Sequence, residues 1–124
     1  ASLELAAPLV AGAELRRQSI ADRLELGYLD ATTLMEYMIA KGMPQRRAHH
    51  LVGAIVGEAM RREVPLASLP LEVLRQHAPE LDETVASVLG AANAVAAFQS
   101  EGSTGPQRVA QQVTLWKQRL QVGA

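Results

Sequence analysis

The sequence predicts an all-α protein built from several helices of unequal length. Apolar residues recur at intervals near multiples of 3.6 almost throughout the chain, which is the period of a helix that packs by one face. We find no convincing run of alternating β-branched residues, the pattern expected of a half-buried strand. Glycine and proline separate the periodic segments, as they do at helix ends. The expected fold is a small helical domain of stacked helix-turn-helix pairs that follows one long helix.

The long helix is predicted over roughly residues 1–26. Pro8 suits its first turn and Gly27 suits its end. The charged residues of this segment mostly occupy other faces than the apolar ones, so one side is expected to be buried. The apolar positions that share the stripe are Leu5, Leu9, Ala13, Ile20 and Leu24.

The stretch from Ala31 to Gly53 is interpreted as a helix, a Gly-Pro turn and a second helix. Thr33 followed by Glu36 has the spacing of a capping box at the start of the first helix, and Gly42 suits its end. Pro44 suits the first position of the next helix, which Pro65 closes. That helix is expected to bury a broad apolar face and to pair Glu58 with Arg62; the apolar positions are Leu51, Val52, Ile55, Val56 and Met60.

Three further helices are predicted downstream. Short ones are expected over Pro70 to His77 and Asp82 to Leu89, between proline and glycine breaks. Thr104 and Gln107, with Pro106 between them, are interpreted as a capping box that opens a longer last helix. We expect this helix to bury an apolar face with Trp116 as the anchor in the core; the other positions are Val109, Val113 and Leu120.

Composition excludes several classes of protein. A chain of 124 residues that is 48% hydrophobic and 20% charged can fill one core, so it is expected to fold as a single compact unit. The net charge of -1 provides no basic excess for a polyanion, and no nucleic-acid partner is expected. No apolar run is long enough to span a bilayer, and no membrane partner is expected. The absence of cysteine excludes disulfides and thiolate chemistry, and a cytoplasmic location suits such a chain.

The residues offer little catalytic or metal-binding chemistry. His49 and His50 are neighbours on a helix and point about 100° apart, so they are poorly placed to hold one metal ion. His49 is expected to be a partly buried helix residue that hydrogen-bonds nearby backbone or Arg46. The segment Gly102 to Pro106 is explained better as a capping turn than as a phosphate site, because it lacks a following lysine and a preceding strand. We predict no catalytic residue, no cofactor and no metal in this chain.

The stretch from Ala31 to Gly53 resembles the C-terminal domain of argininosuccinate lyases, members of the fumarase and aspartase superfamily. The family pattern runs roughly ATDLADYLVxKGxPFREAHxxVG, and the likeness extends over about residues 28–121, with Arg47 where the family has a glutamate. The positions that carry the likeness, and that we expect to be structural, are Ala31, Thr32, Tyr37, Lys41, Gly42, Pro44, Arg46, His49 and Gly53, followed by Gly102, Thr104 and Pro106 of a GGT-x-P turn.

A shorter likeness, of Gly42 to Arg47, is to the mobile catalytic loop of the same superfamily. That loop carries a serine that removes a proton, whereas the residues before Met43 are Ala40, Lys41 and Gly42. The short segment therefore lacks the base, and the longer match to the C-terminal domain is the better interpretation.

The resemblance implies a function for a longer protein. Argininosuccinate lyases split argininosuccinate into arginine and fumarate by β-elimination, in arginine biosynthesis, as cytoplasmic homotetramers with a bundle of long central helices. It implies that residues 1–27 are the tail of a bundle helix and that 28–124 form the C-terminal helical domain, a cap near the mouth of the active site. The expected partners are the remainder of the lyase chain and the neighbours in the homotetramer. The catalytic histidine and serine of the family lie outside this segment, so no lyase activity is expected from these 124 residues alone. The apolar stripe of the first helix would be exposed in an isolated fragment, and we expect it to favour self-association.

The alternative function is a free-standing helical interaction module or a helix-turn-helix nucleic-acid binder. Its basis is the short glycine-containing turn between two helices, followed by basic residues where a recognition helix reads bases. These residues are Arg46, Arg47, His49 and His50. The neutral charge of the whole chain argues against DNA binding, because groove readers carry a basic excess.

Overall fold

A computed structural model describes residues 2–24 and 27–120, and all regular structure in these ranges is helical. The predicted all-α class is therefore confirmed. Seven α-helices and two 3-10 helices are present in this part of the chain. The α-helices are α1 (Ser2–Ala11), α2 (Arg17–Leu24), α3 (Ala31–Ala40), α4 (Gln45–Arg62), α5 (Leu71–His77), α6 (Ala91–Ala96) and α7 (Pro106–Arg119), and the 3-10 helices are Leu66–Ser68 and Glu83–Ser87.

The core lies between α3 and α4 and is completed by the segments that follow them. In α4, Ala48, Val52, Ile55 and Ala59 are buried at intervals of four, three and four residues, which puts them on one face of the helix. Alanine at both ends of this stripe leaves room for close packing of neighbouring elements. The buried apolar residues from the other elements are Leu34, Met38, Leu66, Leu69, Val73, Leu74, Ala78, Leu81, Val85 and Leu89. The predicted face of α4 was correct for Val52 and Ile55 and wrong for Met60, which is exposed.

A tight turn joins α3 to α4 and sets their packing. The N–H of Gly42 donates to the carbonyl of Ile39 at 2.9 Å, and the N–H of Met43 donates to the carbonyl of Met38 at 3.0 Å. This pair of bonds is a Schellman motif, which needs a left-handed residue just after the helix, and Gly42 has φ +93°. Pro44 then lies at the N-cap of α4, one position before the predicted one. The predicted helix, turn and helix are confirmed.

Both predicted capping boxes are wrong. Helix α3 begins before Thr33: its N-cap is Asp30, and the N–H of Leu34 donates to the Asp30 carbonyl at 2.9 Å. Thr33 therefore lies in the first turn of the helix, where it is buried. The Asp30 side chain accepts a hydrogen bond from the N–H of Gly90 at 2.7 Å instead of capping the helix. In α7 the N-cap is Gly105, with Pro106 at the first helical position and no side-chain cap.

At Gly105 the backbone passes close to Phe98, which follows α6. A Cβ atom at this position would lie 2.0 Å from the carbonyl oxygen of Phe98, a distance that no side chain tolerates. Any other residue would force the turn between α6 and α7 apart. Close approach, rather than capping by a side chain, therefore fixes the start of α7.

The single long helix predicted over residues 1–26 is wrong within the described residues. The segment forms α1 and α2 with a break at Gly12 to Arg16, and Pro8 lies inside α1 rather than in its first turn. Glycine disfavours helix, and no residue of α1 or α2 is buried, so no packing offsets that preference. The division of the chain at residue 28 stays a prediction, and residues 1, 25 and 26 of the predicted helix lie outside the described residues.

The downstream predictions are partly confirmed. The helix at Pro70 to His77 is α5, whereas the predicted helix at Asp82 to Leu89 is the shorter 3-10 helix Glu83–Ser87. Trp116 is not a core anchor, since 52% of it is exposed and α7 buries no residue. The amphipathic pattern of α7 is real, but no described element covers its apolar face.

Two of the left-handed positions, Gly42 and Glu63, should respond in opposite directions to substitution. Gly42→Ala is expected to cost about 1–2 kcal/mol of unfolding free energy, because an L side chain is strained at positive φ. Glu63, at the C-cap of α4, has φ +54°, so Glu63→Gly relieves the same strain and should stabilise the domain by about 0.5–1 kcal/mol after the entropy of glycine is subtracted. Urea unfolding measures both changes.

Gly53→Ala is the matched control for these turn substitutions. Gly53 lies inside α4, and no atom is within 4 Å of the position that its Cβ would take. Alanine should therefore stabilise this helix by about 0.5–1 kcal/mol. A Gly42→Ala variant as stable as Gly53→Ala would contradict the assigned role of Gly42.

Candidate functional site

A polar cluster joins the end of α3 to the start of the second 3-10 helix. The ammonium of Lys41 lies 2.5 Å from Asp82 Oδ2 and donates to the Thr84 hydroxyl at 3.3 Å. The hydroxyl of Tyr37 donates to Asp82 Oδ1 at 3.1 Å and lies 2.5 Å from Thr84 Oγ1. We call these four residues the Lys41–Asp82 cluster.

Each member of the cluster is positioned by its local structure. Tyr37 and Lys41 are four residues apart, so they lie on one face of α3, and the Lys41 ammonium lies 4.8 Å from the centre of the Tyr37 ring. Asp82 is the N-cap of the 3-10 helix and accepts from the N–H of Thr84 at 2.9 Å. One carboxylate therefore caps its own helix and also binds α3.

Both charges in the cluster are stabilised. The hydrogen bond from Lys41 lowers the pKa of Asp82 well below its usual range, and the Thr84 hydroxyl and N–H add to this effect. The hydrogen bond to Asp82 raises the pKa of Lys41, with a smaller contribution from Tyr37. Both groups stay ionised at neutral pH, whereas a general acid or base needs a pKa near the working pH. The cluster is suited to joining two segments and unsuited to proton transfer.

A surface groove of about 190 Å³ lies beside the cluster. Tyr37, Lys41, Gly42 and Pro44 line it together with Met38, Met43 and Leu81. Arg47 and Glu80 also line it and form an ion pair, which joins α4 to the loop after α5. The lining of the groove therefore combines apolar side chains with one complete ion pair.

Four of the twelve positions that carry the family likeness line this groove, namely Tyr37, Lys41, Gly42 and Pro44. The other eight do not line it. Ala31 is half-buried at the start of α3, and Gly102 has φ +76° in the turn before α7. The prediction that His49 is partly buried is wrong, because it is exposed on α4. Within the described residues it makes no hydrogen bond to Arg46 or to backbone. The remaining exposed positions are Thr32, Arg46, Gly53, Thr104 and Pro106.

Sequence reasoning identified Tyr37 and Lys41 but missed their pairing with Asp82. The two ionic partners are 41 residues apart, so no spacing rule links them. Asp82 was predicted only as the start of a helix, and its spacing from Thr84 was the available signal. The ion pair of Arg47 with Glu80 was missed for the same reason.

Three of the four arginines of α4 are held in ion pairs. Arg47 is paired with Glu80, while Arg61 and Arg62 both bind Glu58, with Arg62 Nε 2.6 Å from Glu58 Oε1. The predicted pairing of Glu58 with Arg62 is confirmed, and these arginines lower the pKa of Glu58. A recognition helix needs cations available for phosphate and bases. The nucleic-acid alternative is not supported.

Two negative findings concern the described ranges only. Within residues 2–24 and 27–120, no three His, Asp or Glu side chains stand together in a way that could hold a metal ion. Among the same residues, no helix combines the length and the apolar character needed to cross a bilayer.

Comparison with known proteins assigns the chain to a family. The model of the argininosuccinate lyase C-terminal family matches residues 28–96, more than half of the chain. This chain belongs to that family. The matched range begins just before α3 and ends with α6, so it contains the whole α3–α4 core and the Lys41–Asp82 cluster. The predicted resemblance is confirmed.

A curated relative extends the match beyond the family domain. The argininosuccinate lyase of Rhodopirellula baltica is 64% identical over 121 residues, which is 98% of this chain and 26% of the relative. The alignment therefore includes residues before α3 and residues of α7. The chain spans about a quarter of the length of this lyase.

Because of the Lys41–Asp82 cluster, the free energy of unfolding should decrease as the pH falls into the acid range. Because the pKa of Asp82 is lower in the folded than in the unfolded protein, its contribution is complete above its ordinary value of 3.8 and is lost as the pH falls below it. Wild type should therefore lose more unfolding free energy than Asp82→Asn between about pH 5 and pH 2. Urea unfolding at several pH values measures the difference.

Glu36→Gln is the matched control for the acid titration. Glu36 lies exposed on α3 and makes no hydrogen bond or ion pair with a described residue. The unfolding free energy of the Glu36→Gln variant, plotted against pH, should run parallel to that of wild type. If the Asp82→Asn curve were parallel as well, the cluster would not carry the assigned charge interaction.

Proposed function

We propose that this chain is the C-terminal part of an enzyme that splits argininosuccinate into arginine and fumarate. The supporting observation is the 64% identity to an argininosuccinate lyase over 98% of the chain. In the proposed reaction the bond from the arginine nitrogen to the succinyl carbon breaks, a base removes a proton from the neighbouring carbon, and the nitrogen leaves with a proton. The double bond that forms gives fumarate.

We propose that these 124 residues act as a structural cap and supply no catalytic group. The Lys41–Asp82 cluster supports this role, because its charges are held in the ionised form and join two segments. The family's catalytic histidine and serine would come from the rest of the enzyme. A domain of this kind positions or covers a site by rigid packing, and small movements of it accompany binding of a substrate.

The proposed setting is a cytoplasmic homotetramer in arginine biosynthesis. The partners would be the remainder of the lyase chain and the neighbouring subunits. Apolar side chains of α1 and α2 support this proposal, since Leu5 is 69% exposed, Leu9 is 74% exposed and Ile20 is 46% exposed. Such a row of exposed aliphatic residues is typical of an interface.

A chimera tests the proposed enzyme. Residues of the Rhodopirellula baltica lyase that align with this chain are replaced by this chain, and fumarate release from argininosuccinate is measured. The chimera should keep kcat/KM within about tenfold of the parent lyase, because the two sequences should build the same cap. The 124-residue chain alone should release no fumarate.

Leu34→Asp in the chimera is the control for folding. Leu34 is fully buried, so an unpaired carboxylate there should unfold the cap. Loss of activity in this variant, with activity retained in the unmutated chimera, links the reaction to an intact domain. A folded, tetrameric chimera without activity, or turnover by the isolated chain, would overturn the proposal.

The α1 and α2 surface should make the isolated chain self-associate. Sedimentation at increasing protein concentration should show a rising mass, and Leu5→Glu together with Leu9→Glu should return it to that of a monomer. Arg16→Glu with Arg17→Glu alters charge without removing apolar surface and serves as the control. A monomeric wild-type chain at all concentrations would refute this part of the proposal.

A further inference from the structure

The α7 helix carries an apolar seam with the spacing of paired helices. Val109, Val113, Trp116 and Leu120 follow one another at intervals of four, three and four residues, so they form a narrow stripe rather than a broad core face. All four are exposed, by 45%, 48%, 52% and 64% respectively. The stripe forms one wall of an apolar groove of about 520 Å³, bounded by the turn at Gly102 to Thr104. The shape that fits such a seam is another helix.

The charges beside the seam have one sign. Lys117 and Arg119 occupy the two positions that flank an apolar seam in paired helices, and Arg108 lies in the first turn of α7. From Pro106 to Leu120 there is no Asp or Glu. The Arg119 guanidinium lies over the Trp116 ring, 5.3 Å from its centre, which keeps this cation at the edge of the seam.

A second copy of α7 is a poor occupant. Pairing α7 with itself would provide no carboxylate to neutralise Lys117 or Arg119, because the helix contains no Asp or Glu. A helix that carries Glu or Asp on its flanks would neutralise Lys117 and Arg119 while covering the same apolar surface.

We propose that the α7 face docks an amphipathic helix with acidic flanks. The apolar seam supplies the contact area and the flanking cations select the partner by charge. This inference depends on the geometry of α7 and not on the proposed lyase activity, so the two can fail separately.

Trp116 is the only tryptophan of the chain and reports directly on occupancy of the seam. Two synthetic helical peptides of about 21 residues, or three heptads, share a leucine seam and differ only in flanking residues, Glu in one and Lys in the other. The 124-residue chain is titrated with each peptide at a concentration where it is monomeric, and Trp116 fluorescence is recorded at several salt concentrations.

The Glu-flanked peptide should produce a saturable blue shift and bind about tenfold more tightly than the Lys-flanked peptide at low salt. The difference should shrink as salt rises, because exposed charges are screened. Lys117→Glu with Arg119→Glu should reverse the preference. Arg16→Glu with Arg17→Glu makes the same charge change at the start of α2 and should leave the preference unchanged. Val113→Lys should weaken binding of both peptides.

Three results would overturn the proposal. They are equal or reversed affinities for the two peptides, no spectral change with either, and self-association that Val113→Lys abolishes. Because α7 buries no residue, these variants should leave the α3–α4 core folded, and circular dichroism of each variant verifies this.

Discussion

The packing of α3 against α4 is the contact on which the rest of the domain is built. Leu34 and Met38 from α3 and Ile55 from α4 are fully or almost fully buried in one apolar cluster. The turn at Gly42 returns the chain at an angle that makes this contact possible, and α5 with both 3-10 helices then covers the remaining apolar surface. Burial of this cluster provides the main favourable free energy, since the net worth of exposed ion pairs is small.

Polar contacts refine the arrangement that burial creates. The Lys41–Asp82 cluster and the pair of Arg47 with Glu80 both connect the α3–α4 hairpin to the loop after α5. Each pair is solvent-exposed, so its value lies in fixing the position of that loop more than in global stability.

The sequence was sufficient to predict those features that local signals determine. Gly42 and Pro44 located the turn between α3 and α4 because each imposes a backbone geometry on its own neighbours. The capping box at Thr33 failed because a distant contact, Asp30 with Gly90, set the start of α3 instead. The pairing of Lys41 with Asp82 was equally invisible, since it depends on how separate segments meet. For Trp116, periodicity correctly predicted an apolar face but contained no information on what covers it.

The hydrogen bond between Asp30 and Gly90 brings the first residues of the family domain next to its last helix. A domain whose two termini lie close together can be inserted into another polypeptide at one point of its surface without distorting its core. Such a unit tolerates relocation, insertion into a host loop or circular permutation, because cutting and rejoining there breaks little of the core. Adjacent ends of this kind let a domain be joined to a longer polypeptide with little change to its own core.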